Sequence, residues 1–166
     1  MKQVILGSPG ERSSRAQPDE QAAWAMVFLV GASLVAIGAT DVAMLFYPAR
    51  FASLDWEFGT ISAFVDGLPV MTIGFSAMIV ASAARGWRRW RGVLAALALL
   101  MAIATLVMLM IFVLDAPAAF RAINPAMRQS LTKAVVKTGF MGFVYVCLYA
   151  ALGVWTWRRL KSSTSS

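Results

Sequence analysis

The side chains that could do chemistry in this protein are almost all carboxylates and lysines. The chain of 166 residues contains no histidine and a single cysteine, Cys147. Those two counts exclude histidine-ligated haem, most zinc and copper sites, a Ser–His–Asp triad and an internal disulfide. Acid–base chemistry on aspartate or glutamate remains open, because it needs no histidine. We therefore expect neither a metal site nor a cofactor.

Five side chains are the candidates for such chemistry. The possible acid–base groups are Asp41, Glu57 and Asp66, and the cations that could pair with them are Lys133 and Lys137. One hypothesis is a proton or solute site built from Asp41, Asp66 and Lys137. The other hypothesis is an ion-pair network that fixes how neighbouring helices align. We favour this second hypothesis, because the groups lie at a shallow depth in the membrane.

The elements that position these groups are membrane-spanning helices. Hydrophobic residues make up 60% of the chain and charged residues 14%, whereas a soluble domain carries about 25% charged residues. Four stretches reach the roughly 20 apolar residues that a membrane-crossing helix needs. They are 22–47, 66–84, 92–114 and 132–157. We predict an all-α fold, a polytopic four-transmembrane-helix bundle embedded in the lipid bilayer.

The helix rise predicts that three of the candidate groups share one depth. At about 1.5 Å per residue, Asp41 lies about 25 Å from the inner edge of the bilayer, and Asp66 and Lys137 lie about 27 Å from it. An ionised carboxylate at that depth is costly unless it is paired. Asp41 follows Gly31 and Gly38 on the same helix, and glycines allow close helix contact. We therefore expect the Asp41 face to point into the bundle, with Lys137 or Lys133 as its cation.

The distribution of basic residues predicts the orientation of the chain. Ten of the fifteen lysines and arginines fall on the side of the two termini, and the other five fall on the opposite side. The positive-inside rule then makes both termini cytoplasmic, and we predict a multi-pass protein of a bacterial cytoplasmic membrane.

Tryptophans and arginines cluster at that same inner interface, where they anchor helix ends on headgroups. The predicted anchors are Trp24, Arg85, Trp87, Arg88, Arg89, Trp90, Arg91, Trp155, Trp157, Arg158 and Arg159. The segment 85–92 could alternatively dock a partner protein or a specific lipid. Nucleic acid is not an expected partner, because no folded basic domain accompanies the segment.

Two proline-containing motifs mark helix starts. Asp66-Gly67-Leu68-Pro69 predicts that the second helix begins at Asp66, which leaves 56–65 as a separate helix on the membrane surface. The alternative is one long helix kinked at Pro69. Asn124-Pro125 predicts an N-cap followed by proline at the first helical position.

The last helix carries a stripe of small and polar residues at helical spacing. They are Thr138, Gly142, Tyr145 and Tyr149. The stripe could line a cavity, but we favour helix packing with the tyrosine hydroxyls bonded to neighbouring helices.

The composition also predicts the domain organisation. Residues 1–21 are rich in serine, proline and glutamine and are expected to form a disordered cytoplasmic tether. Residues 22–160 form the four-helix transmembrane domain, and 161–166 form a solvated tail.

Three classes of function fit these features. The first, which we favour, is a non-catalytic accessory or assembly subunit that packs against other membrane proteins or against itself as a homo-oligomer. The second is a small proton, ion or solute transporter that uses Asp41, Asp66 and Lys137. The third is a cofactor-free membrane enzyme with Asp41, Asp66 or Glu57 as acid–base groups on an apolar substrate.

Overall fold

The structure, a computed structural model, describes residues 9–48, 53–122 and 124–162. Those residues form four long helices and one short 3-10 turn, with no strand among them. The elements are α1 (Pro9–Leu45), α2 (Leu54–Ala84), α3 (Arg88–Ala122), the 3-10 turn (Pro125–Met127) and α4 (Arg128–Ser162). All four helices are long and apolar enough to cross a membrane. The predicted all-α fold is confirmed, and the helices indicate an integral membrane protein.

The first helix extends well beyond the predicted span. It begins at Pro9, which suits proline because the first helical position has no backbone N–H bond to lose. The backbone is therefore helical over residues 9–21, where the composition predicts a disordered tether. The Glu, Gln, Arg and Ala residues of this stretch are good helix formers, so a helix nucleated in the membrane span can propagate through them. Residues 1–8 and 163–166 lie outside the described residues.

The second helix is continuous, and the prediction that it begins at Asp66 is wrong. Pro69 lies in the interior of α2, where it removes one backbone hydrogen bond. Segment 56–65, expected to lie on the membrane surface, is part of the same helix. Its apolar side chains are buried in the core: Ile61, Phe64 and Val65. Their packing against neighbouring helices outweighs the single lost bond.

Helix α2 is the centre of the bundle. The backbone of α1 runs close to α2 alone among the described helices, whereas α2 also contacts α3 and α4, which pack on each other. In their most apolar stretches, 39% of the residues of α2 are buried but only 11% of those of α1. One broad face of α1 is therefore left without a neighbour among the described helices.

Two glycines let α1 and α2 cross at backbone contact. A Cβ atom placed on Gly31 would lie 2.7 Å from the carbonyl oxygen of Gly74, and one placed on Gly74 would lie 2.7 Å from that of Gly31. A Cβ atom placed on Gly38 would likewise clash with a neighbour, in this case the side chain of Met71 on α2. The prediction that the glycines of the first span face a neighbouring helix is confirmed.

A tight turn joins α2 to α3. The backbone N–H of Gly86 donates to Ala83 O and that of Trp87 to Ser82 O, which is the hydrogen-bond pattern of a Schellman motif. Gly86 has a φ of 66°, a conformation that glycine adopts without strain. The turn is confined to 85–87. The remaining arginines of segment 85–92 belong to the first turn of α3.

Asn124 caps the last helical segment, as predicted. Its side-chain oxygen accepts a hydrogen bond of 3.1 Å from the backbone N–H of Ala126. Proline follows at the first position of the 3-10 turn, which leads directly into α4.

Candidate functional site

The antiparallel packing brings Asp41, Asp66 and Lys137 to one height in the bundle. Gly31 of α1 lies opposite Gly74 of α2. Asp41 follows Gly31 by ten residues, and Asp66 precedes Gly74 by eight residues. At 1.5 Å per residue, the two carboxylates differ in height by only about 3 Å. We call these three residues the charged layer. It lies near the end of the bundle opposite the 85–87 turn.

An ion pair joins α2 to α4 in this layer. Lys137 Nζ donates to Asp66 Oδ1 at 2.9 Å, and the two side chains are 61% and 55% exposed. Exposed pairs of this kind contribute up to about 1 kcal/mol. The pair therefore helps to align the two helices without being a large source of stability. Lys137 therefore pairs with Asp66 and not with Asp41, the partner expected from the sequence.

Asp41 lies on the surface of the bundle, so the prediction that its face points inward is wrong. The side chain is exposed and makes no ion pair or hydrogen bond with any described residue. Gly38 faces α2, but three further residues rotate the helix by roughly 300° and move Asp41 about 60° away from the glycine face. Lys133, the alternative cation, is likewise exposed on α4.

Glu57 lies apart from the charged layer. It precedes Asp66 by nine residues of the same helix, or about 13 Å. Its carboxyl group lies near that of Asp115 on α3. The three candidate acid–base groups therefore do not converge on one point. No group of three metal-ligating side chains occurs among the residues that the structure describes.

Two further polar contacts join α2 to α4. The hydroxyl oxygens of Ser62 and Thr138 are 3.1 Å apart, and those of Thr72 and Tyr149 are 3.0 Å apart. All four members of the stripe on α4 are buried, which confirms helix packing. The hydroxyl of Tyr149 is bonded to a neighbouring helix as expected, whereas that of Tyr145 has no hydrogen bond to a described residue. The sequence did not indicate Ser62 or Thr72 as partners of the α4 stripe. The available signal for Ser62 was its position four residues, or one turn, before Asp66.

The chain matches no protein-family model, and no curated protein or solved structure is significantly similar to it.

The end of the bundle that carries the 85–87 turn holds the predicted anchors, and we call it the basic end. Phe28 of α1 contacts the rings of Trp87 and Trp90 edge-on, with centroids 5.4 and 5.5 Å apart. The guanidinium groups of Arg85 and Arg159 lie over the rings of Trp87 and Trp155, respectively. Aromatic and guanidinium groups stacked at helix ends suit the headgroup region of a bilayer.

The remaining anchors lie near the same ends of the apolar spans. Trp24 is half-buried on α1, Arg91 is half-buried on α3, and the others are exposed: Arg88, Arg89, Trp157 and Arg158. Whether they bind headgroups stays a prediction.

Removing the hydroxyl of Tyr149 tests how much one interhelical hydrogen bond contributes to the free energy of unfolding. The ring is fully buried, so Tyr149→Phe deletes one interhelical hydrogen bond and leaves the packing intact. We expect the free energy of unfolding to fall by about 0.5–1 kcal/mol, measured by tryptophan fluorescence during titration with a denaturing detergent. Tyr145→Phe is the matched control, since that buried tyrosine has no hydrogen bond to a described residue. Equal losses in the two variants would contradict the expectation.

Proposed function

We propose that this protein is a non-catalytic accessory or assembly subunit of a membrane complex, and that the open face of α1 is its interface. The observation on which the proposal rests is Asp41, a carboxylate that pairs with no residue the structure describes and lies on a helix face that no described helix covers. The large apolar side chains exposed on α1 are Met26, Val27, Leu29, Val30, Ile37 and Met44.

Lipid alone would satisfy the apolar part of this face but not its charge. On membrane-insertion scales, an aspartate at the centre of the bilayer costs about 2.5–3.5 kcal/mol, and less toward the edge. A lysine or arginine on an adjacent protein helix would remove that cost by pairing with Asp41. The chemistry of the face therefore favours a partner helix with a cation near the outer edge of the membrane.

The other two classes of function have less support. A transport pathway would need to pass between the helices, whereas the polar stripe of α4 is packed against its neighbours and the groove beside Lys133 and Lys137 is open at the surface of the bundle. An enzyme that used all three acid–base candidates would need them close together, whereas Glu57 lies about 13 Å along α2 from Asp66. The excess of basic residues at the basic end supports an orientation with both termini in the cytoplasm, and a bacterial cytoplasmic membrane as the location.

The test is the size of the complex after mild solubilisation. Asp41→Leu removes the charge from an exposed position while it keeps a side chain of similar size, so the protomer should still fold. In native electrophoresis we expect the unaltered chain to migrate in a complex larger than the monomer, and Asp41→Leu to shift it to the monomer. Asp19→Asn, a carboxylate change at the other end of α1, is the control and should leave migration unchanged. Monomeric migration of the unaltered chain, or a complex that survives Asp41→Leu, would overturn the proposal.

A further inference from the structure

A polar pocket lies at the basic end, between the start of the apolar span of α1 (Asp19–Leu45) and the 85–87 turn. Its volume is about 280 Å³. It is lined by Glu20, Gln21, Trp24, Ala84, Arg85 and Trp87. None of these side chains belongs to the charged layer, so the pocket is independent of the function proposed above.

The pocket contains one carboxylate and one guanidinium group that do not pair with each other. Glu20 accepts a hydrogen bond from Trp24 Nε1, but at 3.5 Å it is long. Arg85 lies over the ring of Trp87, with its guanidinium carbon 4.4 Å from the ring centroid. Neither side chain forms an ion pair with any residue that the structure describes. Two opposite charges that face one space without pairing fit a ligand that carries both charges itself.

The position of the pocket indicates where such a ligand comes from. Trp24 lies near the start of the apolar span of α1 and Trp87 lies in the turn between α2 and α3, which is the height of the headgroups in a membrane. Apolar faces of α1 and α2 continue from the pocket toward the bilayer core, with Val27 and Val80 exposed to lipid. A phospholipid can therefore place its headgroup in the pocket while its acyl chains lie along the two helices.

We propose that this pocket binds the headgroup of phosphatidylethanolamine. Its primary ammonium donates hydrogen bonds to the Glu20 carboxylate, and its phosphate accepts them from the Arg85 guanidinium. Phosphatidylcholine has the same charges, but its trimethylammonium has no N–H to donate, and the face of Trp87 that could hold it is occupied by Arg85. Phosphatidylglycerol has no cation and leaves Glu20 facing an anion.

Lipid binding to the purified full-length protein tests the proposal. We expect native mass spectrometry to show retention of phosphatidylethanolamine over phosphatidylcholine and phosphatidylglycerol at equal concentrations. Glu20→Gln removes the carboxylate charge at an exposed position, so the variant should fold. It is expected to weaken phosphatidylethanolamine binding about tenfold, the effect of losing one charge-assisted hydrogen bond. Asp19→Asn, the neighbouring carboxylate outside the pocket, should leave binding unchanged.

Four results would overturn the assignment. Stronger retention of phosphatidylglycerol would show that the basic end attracts any anionic lipid, and equal retention of phosphatidylcholine would show that the carboxylate does not select N–H donors. Equal losses of phosphatidylethanolamine binding in Glu20→Gln and Asp19→Asn would show that the pocket is not the binding site. Displacement of the lipid by an equal concentration of free phosphoethanolamine would make the ligand a soluble zwitterion. Because the lipid can be measured on a monomer, these outcomes are separate from the Asp41 experiment.

Discussion

Gly74→Ala is expected to push α1 away from α2 and to lower the free energy of unfolding by about 1–3 kcal/mol. The added methyl group would lie 2.7 Å from the carbonyl oxygen of Gly31. That oxygen belongs to a helix backbone and cannot rotate away, so the helices must separate. Separation also loosens the contact of Gly38 with Met71, because the backbone of α1 runs close to that of α2 alone among the described helices. Gly74→Leu should detach most of α1.

The measurement is unfolding of the purified protein in mixed detergent micelles, followed by tryptophan fluorescence. Gly67→Ala is the matched control on the same helix, since a Cβ atom there meets nothing within 4 Å. It should be neutral or slightly stabilising, because alanine is a better helix former than glycine. Gly31→Ala combined with Gly74→Ala should lower the free energy of unfolding by less than the sum of the two single losses. Both added methyl groups crowd the same contact, and a separation forced by one makes room for the other. A Gly74→Ala variant as stable as Gly67→Ala would contradict the observed crossing.

Phe112→Ala is expected to be the most damaging change in the α2–α3 contact. The ring is fully buried and stacks on Phe58 with centroids 4.2 Å apart and an angle of 27° between the rings. In soluble proteins, deletion of a buried phenylalanine side chain costs about 3–5 kcal/mol. Here the unfolded helices remain in lipid, so the hydrophobic transfer term is smaller and mainly the lost packing remains. We expect a loss of roughly 2–3 kcal/mol.

Phe140→Ala is the control for this experiment. Its ring is 67% exposed on α4 and faces lipid, so its removal leaves no cavity between helices. The same detergent titration should show a change below about 0.5 kcal/mol for this variant. Similar losses for the two phenylalanines would mean that contact with lipid, and not helix packing, determines the cost. Phe58→Ala should reproduce part of the Phe112→Ala loss and should not add fully to it.

Local features of the fold were predictable where a few neighbouring residues decide the outcome. The cap at Asn124 depends on a side-chain oxygen two residues from its donor, and the crossing glycines depend on spacing along one helix. The start of the second helix was not predictable in this way. Asp66 and Pro69 have local preferences for a helix start, but the burial of Phe64 and Val65 against other helices overrides them.

The chemistry of the charged layer shows the same division. Helix rise alone put Asp41, Asp66 and Lys137 at one height, because depth depends only on counting residues along each helix. Pairing depends on the rotation of each helix about its axis and on which helices are neighbours. Lys137 pairs with Asp66 because α4 packs on α2, while α1 lies along α2 and turns Asp41 outward.

The sequence by itself determined that this chain forms four apolar helices, that histidine-based metal and triad chemistry is absent, and that ionisable groups lie at one depth. These properties follow from composition and from distance along the chain. Only the tertiary structure decided that α2 is central, that Asp41 faces away from the bundle, and that Glu20 and Arg85 share a pocket. The physical reason is that these outcomes depend on contacts between residues distant in sequence, where backbone approach at Gly31 and Gly74 sets the position and rotation of whole helices.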